Sequence, residues 1–140
     1  MNRSNWEHFP HKADIGIRGI GSTKEQAFEQ TAVALTAVIT NPEKVEQLQK
    51  VQITCSATDD ELLLADWLNS LLYEMDILKM LFSRFEVRIE QNTISATAWG
   101  EKTDTQKHRP AVEVKAATYT ALNVRQDENG NWIAQCVVDV

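Results

Sequence analysis

Residues 61–75 place apolar side chains on almost every side of a predicted helix. These side chains are Leu62, Leu63, Ala65, Trp67, Leu68, Leu71, Leu72 and Met75. A surface helix has one apolar stripe, whereas a helix that is apolar on most sides is enclosed by other elements. Thr58 and Glu61 have the spacing of a capping box, which predicts that the helix begins just after Thr58. We expect it to be the central core helix, packed against a sheet.

Alternating apolar runs on both sides of this helix predict β-strands. They lie at residues 15–20, 51–57, 85–89, 94–98 and 132–140, and Gln91-Asn92 and Asn129-Gly130 are predicted turns. Ser22 and Glu25 form a second capping box, which opens a helix over residues 23–40. Within residues 112–122, alternate positions indicate one face of a strand, although the Ala-rich middle could also form a helical turn. These positions are Val112, Val114, Ala116, Thr118, Thr120 and Leu122. Hairpins rather than βαβ units predict an α+β fold.

Length and charge narrow the classes of function. A chain of 140 residues predicts one domain spanning residues 1–140. The net charge of −6 is the wrong sign for a broad phosphate-binding surface, so we expect no stable direct binding of nucleic acid. Cys55 and Cys136 have no metal or redox spacing and indicate reduced core thiols. The sequence has no membrane span and no signal peptide, so we expect a cytoplasmic protein without a membrane partner.

Carboxylates at the two ends of the chain are the most informative polar groups. Asp14 precedes the first predicted strand, and Asp139 lies between valines in the last one. A carboxylate in an apolar strand must either face solvent or bind a cation, because burying it unpaired is costly. If the two strands are neighbours, Asp14, Asp139 and the terminal carboxylate of Val140 would form a cluster suited to Ca²⁺ or Mg²⁺. Lys115 is the natural cationic neighbour of this cluster. Aspartates that simply occupy a turn or face solvent are, however, commoner than aspartates that bind a metal.

Other polar and aromatic residues have competing interpretations. His11 and His108 lie in polar segments and could join a site, but surface histidines are commoner than ligands. We expect residues 101–110 to form an exposed loop. Trp67, Tyr73 and Phe82 are better explained as core than as a base-stacking platform. An exposed tryptophan near a strand end, by contrast, would suit a protein interface.

Five short motifs occur in one order along nearly the whole chain. They are residues 11–18 (HKADIGIR), 65–73 (ADWLNSLLY), 100–108 with Gly100, Glu101, Asp104 and His108, 113–119 (EVKAATY) and 137–140 (VVDV). Together they resemble the archease family. The resemblance implies two main helices packed on a mixed or antiparallel sheet. Lys12, Thr120 and Gln135 depart from the family pattern, where threonine, histidine and arginine respectively are common.

The resemblance also implies a function. Archeases are non-catalytic partners of a GTP-dependent RNA ligase, which joins a 3′-phosphate or 2′,3′-cyclic phosphate end to a 5′-hydroxyl in tRNA splicing or RNA repair. They promote guanylylation of the ligase and its multiple turnover. Their metal, taken to be calcium, is held at positions that correspond here to Asp14, Asp139 and Val140, and Lys115 matches a functionally important lysine. The metal could also be Mg²⁺ or Mn²⁺, because all three prefer oxygen ligands.

Two other functions stay open on the sequence alone. The chain could be a chaperone-like adaptor of another tRNA-processing enzyme, such as a tRNA methyltransferase. It could also be a small metal-dependent hydrolase that uses its carboxylates directly. The hydrolase is disfavoured because no P-loop, nucleophile elbow or HExxH motif accompanies the carboxylates. The sequence therefore predicts a protein that is not an enzyme.

Overall fold

The computed structural model describes residues 4–140. The strands are β1 (Asn5–His11), β2 (Asp14–Gly21), β3 (Gln49–Ser56), β4 (Met80–Glu90), β5 (Thr93–Lys102), β6 (Ala116–Ala117), β7 (Asn123–Gln126) and β8 (Trp132–Asp139). The helices are α1 (Lys24–Ile39), α2 (Asp60–Leu78) and the single turn α3 (Thr105–His108). One 3-10 turn, Pro42–Lys44, follows α1.

The strands form two antiparallel sheets. The larger sheet has the order β1-β2-β8, with β6 and β7 both pairing with the free edge of β8. The smaller sheet has the order β3-β5-β4. The α+β prediction is confirmed, with two antiparallel sheets in place of the single mixed or antiparallel sheet that was expected. Strands β2 and β8, from opposite ends of the chain, are hydrogen-bonded neighbours.

Helix α1 contacts strands of both sheets and is buried on most sides. Thr31 and Thr36 are fully buried on it. The Thr36 hydroxyl donates to the carbonyl of Phe82, and the Thr31 hydroxyl is shared between the carbonyls of Ala27, at 2.7 Å, and Ala134, at 3.2 Å. These bonds join the helix to β8 on one side and to β4 on the other. Helix α2 packs beside it, and the indole of Trp67 donates to the carbonyl of Phe28 at 3.1 Å. A helix over residues 61–75 is confirmed, but its prediction as the central enclosed helix is wrong, because that place is taken by α1. Helix α2 has an exposed side, formed by Asp66, Asn69, Tyr73, Asp76 and Ile77.

Both predicted capping boxes lie one residue too early. The cap of α1 is Thr23, whose hydroxyl accepts from the amide of Gln26, and the cap of α2 is Asp59, which accepts from the amide of Leu62. In each case the predicted serine or threonine is followed by a second capping residue, and the tertiary structure selects the later one. Asp60 then occupies the first turn, where the helix dipole favours a carboxylate.

Three other predictions are wrong in part. Strand β1 was missed because its apolar residues do not share one face: Phe9 covers Gly16, whereas Trp6 lies on the other side. The strand predicted over residues 112–122 shrinks to the two residues of β6. Tyr73 is 63% exposed rather than buried, because it lies two residues from both Leu71 and Met75 and therefore faces away from the core side of α2.

Several local predictions are confirmed. Gln91 and Asn92 both have positive φ, at 50° and 60°, which is the turn geometry that suits a two-residue hairpin. The cysteines are free, and burial raises the pKa of Cys55 to about 11 and of Cys136 to about 12. Across residues 4–140, no helix is both long and apolar enough to span a membrane.

Candidate functional site

Asp14 and Asp139 lie opposite each other where β2 begins and β8 ends. Ile15 pairs with Val138, so the next position along the antiparallel ladder places the two aspartates side by side on one face of the sheet. Both are half-buried. The amide nitrogen of Val140 lies 3.5 Å from Oδ1 of Asp14, which brings the last residue onto the same group.

The same row of the sheet continues on both sides of this pair. His11 pairs with Asp14 across a tight turn in which Lys12 has a φ of 52°. On the other side Ala116 pairs with Asp139, and the amide of Lys115 donates to the carbonyl of Asp139 at 2.8 Å. The Lys115 side chain is exposed. The predicted residues His11, Asp14, Asp139, Val140 and Lys115 are therefore brought to one place.

The donor chemistry of this pair fits a hard cation. Asp14 and Asp139 offer carboxylate oxygens, and the main chain of Val140 adds oxygen donors beside them. Oxygen ligands of this kind suit Ca²⁺, Mg²⁺ and Mn²⁺ better than zinc. Within residues 4–140, no group of three His, Cys, Asp or Glu side chains could hold a metal. A cation here would therefore need a further ligand from Val140, from solvent or from a partner.

The pair lies at the end of the molecule where α1 finishes. A Cβ at Gly19 would meet Thr31, and Nε2 of His8, which sits opposite Ile17, lies 2.8 Å from the carbonyl of Ala34. Helix α1 thus runs antiparallel to β2, and its last turn approaches the start of that strand. The amide of Ala111 donates to the carbonyl of Ile39 at this end, which brings the segment before Lys115 alongside.

A hydrogen-bonded network occupies the same sheet face farther from the end. Arg18 stacks over Phe9 at 4.5 Å, forms an ion pair with Glu7, and donates to the amide oxygen of Gln135 at 2.9 Å. Arg125 also donates to that oxygen, at 3.3 Å. Gln135, one of the three departures from the family pattern, thus accepts hydrogen bonds from two guanidinium groups.

His108 does not belong to this row and is not exposed as predicted. It is 1% exposed, and its Nε2 donates to Oε2 of Glu101 at 3.0 Å, because Nδ1 already accepts from the amide of Asp104 at 2.9 Å. Lys107 and the amide of Glu46 also donate to that Oε2, at 2.7 and 2.8 Å. The motif that contains Glu101, Asp104 and His108 therefore closes a loop onto β5.

Glu101 is an anion held by this loop. Burial by itself would raise the pKa of Glu101, but the hydrogen bonds from Lys107, Glu46 and His108 outweigh it and lower the pKa to about 2. Thr40 fixes the other side of the loop by donating to the carbonyl of His108. We assign the loop a structural role, because Glu101 and His108 are buried and paired with each other.

The sequence did not reveal a groove beside Lys115. It lies between the second half of α2 and residues 110–114, and its volume is about 420 Å³. A smaller pocket of about 390 Å³ shares Asp76, Glu113 and Val114 with it and reaches Lys115. One wall is a segment without regular secondary structure, so periodicity offered no signal for it.

Fold and site together define a small α+β protein with two antiparallel sheets around a central helix and an open carboxylate pair where the outermost segments of the chain meet. The profile of the archease protein family matches residues 6–140. The chain belongs to the archease family.

Individual relatives agree with this assignment. "Protein archease" of Pyrococcus furiosus is 45% identical over 139 residues, which cover 96% of this chain and 98% of the relative. The solution structure of protein 1598 from Methanobacterium thermoautotrophicum is 32% identical, covers 97% of this chain and 99% of its own, and has a TM-score of 0.85. The crystal structure of "an archease, possible chaperone" from Thermotoga maritima is 18% identical, covers 96% of each chain and has a TM-score of 0.60, which bears on the fold alone.

Proposed function

We propose that this chain activates a GTP-dependent RNA ligase, promoting its guanylylation and repeated turnover, and that it is not itself an enzyme. Asp14, Asp139 and Val140 would hold a divalent cation, Ca²⁺ in the first place, at the end that meets the ligase. The family resemblance supplies the partner. The observation that carries the proposal is the placement of Asp14 opposite Asp139, because residues 125 positions apart would not otherwise share a site.

The charges of the site support a role toward a ligase. An enzyme that binds nucleotide and RNA phosphates presents a basic surface, and this chain has a net charge of −6 with its two aspartates at an open end. Opposite charges accelerate association and orient the two proteins. The same charge argues against a stable complex of this protein with RNA.

Each residue of the row has a distinct part in the proposal. A bound divalent cation would supply positive charge for nucleotide phosphates. Asp14 and Asp139 provide its anionic ligands, while the antiparallel pairing of their strands holds the two carboxylates in place. His11, opposite Asp14, is placed to orient that carboxylate. The exposed Lys115 is placed to contact phosphates of the nucleotide or of the RNA in the ligase site.

A turnover assay with purified ligase tests the function. We expect wild-type protein to restore multiple turnover and to speed guanylylation, and Asp139→Asn or Asp14→Asn to lose at least tenfold of the stimulation. Glu90→Gln, which removes an exposed carboxylate at the end of β4, is the matched control and should stimulate normally. Full stimulation by both aspartate variants would eliminate the mechanism.

Thermal melting with and without Ca²⁺ tests the cation directly. A ligand at one hundred times its Kd stabilises a folded protein by about 2.7 kcal/mol. We therefore expect Ca²⁺ to raise the Tm of the wild-type protein by several degrees and to leave that of Asp139→Asn unchanged. Equal shifts in the two proteins would place the cation elsewhere.

A second candidate is a chaperone-like adaptor of another tRNA-processing enzyme, such as a tRNA methyltransferase. The description of the Thermotoga maritima protein as a possible chaperone supports this second candidate. Affinity purification of the tagged chain separates the two functions. Recovery of the ligase supports our proposal, whereas recovery of a methyltransferase without the ligase supports the adaptor.

A further inference from the structure

The groove between α2 and residues 110–114 is apolar at its base. Its apolar lining includes Leu72, Met75, Met80, Leu81, Val112 and Val114. Met75, Met80, Leu81 and Val114 are buried, whereas Val112 is 38% exposed. Methionine side chains adapt to partners of different shape, which is why they are common at binding surfaces. An apolar depression of about 420 Å³ can accept one or two large side chains.

The two walls of the groove carry acidic residues. Asp76 projects from α2 and Glu113 from the facing segment, and both are exposed. Lys79 reaches Asp76 at 3.5 Å, but both side chains are more than three-quarters exposed, so this ion pair is weak. Asp76 and Glu113 also line the pocket of about 390 Å³ that reaches Lys115. The two charged residues that line the groove are therefore both acidic, and the lysines Lys79 and Lys115 stand beside them.

The groove and the carboxylate pair are linked through the main chain of Lys115. Glu113 and Lys115 border the smaller pocket, and the amide of Lys115 is bonded to the carbonyl of Asp139. A partner that contacts Asp139 would therefore have Lys115 and the smaller pocket nearby. Exposed apolar side chains continue the surface on α2, where Tyr73 is 63% and Ile77 57% exposed.

We propose that this groove binds a segment of the ligase that carries a large apolar side chain flanked by lysine or arginine. The proposal rests on the proposed function for the identity of the partner. The apolar side chain would fill the depression above Met75 and Leu81, and its basic neighbours would meet Asp76 and Glu113.

A second copy of this chain does not fit the groove as well. Two copies facing each other here would bring Asp76 and Glu113 of one against those of the other, and like charges across an interface cost free energy. The net charge of −6 on each copy adds to the repulsion. A basic partner gains from the same charges.

The groove and the carboxylate pair have separable effects. In this proposal the groove binds a segment of the ligase and does not touch the nucleotide or the RNA. It therefore contributes affinity for the ligase. Asp14 and Asp139 act at the ligase site, so they contribute to the maximal stimulation. Variants in the groove should therefore change the concentration of this protein that gives half-maximal stimulation, and variants in the pair should change the maximum.

Titration of the ligase with Glu113→Lys and Val112→Ser tests the groove. We expect Glu113→Lys to raise the Kd and the half-maximal concentration at least tenfold and Val112→Ser three- to tenfold, with maximal stimulation within twofold of wild type. Both positions are exposed, and unchanged Tm values would show that the fold is intact. Glu90→Lys makes the same charge change on β4 and should bind as wild type. Unchanged affinity of Glu113→Lys and Val112→Ser would overturn the proposal.

A peptide experiment tests the groove without the ligase. A 15-residue amphipathic Leu/Lys peptide should shift the NMR signals of Val112 and Val114 in a saturable manner, and a Leu/Glu peptide of the same pattern should not. Equal shifts with both peptides, or none, would overturn the proposal, as would a dimer in solution that Glu113→Lys strengthens. If the Leu/Lys peptide binds while the wild-type protein fails to stimulate the ligase, the proposed function fails and the groove stands as a site for a basic, apolar segment.

Discussion

Glu101→Gln should destabilise the fold in a pH-dependent manner. Lys107, His108 and the amide of Glu46 all donate to the same oxygen of Glu101, at 2.7, 3.0 and 2.8 Å. Glutamine can place its amide oxygen in that position, so the substitution removes the charge and keeps the shape. Hydrogen bonds to charged groups contribute about 1.5–3 kcal/mol and neutral ones about 0.5–1.5 kcal/mol.

The loss of stability in Glu101→Gln is smaller than the sum of the contributions of the three hydrogen bonds. Lys107 is 35% exposed, so solvent screens its share, whereas the His108 side chain is fully buried. We expect the free energy of unfolding at pH 7 to fall by about 2 kcal/mol, in line with the weakening of one or two charged bonds. For 140 residues, an unfolding entropy of about 2.1 cal/mol/K per residue converts this to a fall in Tm of roughly 7 °C.

The pH dependence identifies the cause. The folded state lowers the pKa of Glu101 from 4.5 to about 2, so its stabilisation is present above about pH 4.5 and is lost as the pH falls toward 2. Urea unfolding of wild type and Glu101→Gln between pH 7 and pH 3 should show a difference that shrinks below pH 4.5. The exposed Glu90→Gln should show none at any pH. A constant difference between wild type and Glu101→Gln would refute the assignment.

Three further predictions concern the core. Gly100→Ala should lower the free energy of unfolding by at least about 2 kcal/mol in urea titrations, because a Cβ there would overlap a backbone carbonyl of β4; a loss below about 0.5 kcal/mol would contradict this. Trp67→Phe should lower the free energy of unfolding, measured by calorimetry, by about 2 kcal/mol, because it leaves a cavity and removes the hydrogen bond to the carbonyl of Phe28. Cys55 and Cys136 should resist thiol reagents at pH 8 until denaturant is added, because burial raises the pKa of each; rapid labelling of the native protein would be inconsistent with that.

Local patterns predicted most of the regular elements. The hairpin of β4 and β5 followed from alternation on both sides of Gln91-Asn92, and the presence of α2 followed from its run of apolar side chains. That run did not show that α1, rather than α2, is the enclosed central helix. The predictions failed where an element depends on distant residues. Strand β1 is an edge strand whose Phe9 packs over Gly16, and His108 is buried only because Glu101 pairs with it. A polar segment looks exposed in sequence until its partner is known.

The sequence by itself determined the fold class and identified the two aspartates as the polar groups that most needed an explanation. The pairing of the strands from opposite ends was a condition of that analysis, and the tertiary structure supplied it. Only the tertiary structure decided which polar residues share a site. It placed His11 beside Asp14, removed His108 to a buried loop, and created the groove at Glu113. The physical reason is that periodicity reports which face of an element is buried, whereas a site depends on the packing of elements that are distant in sequence.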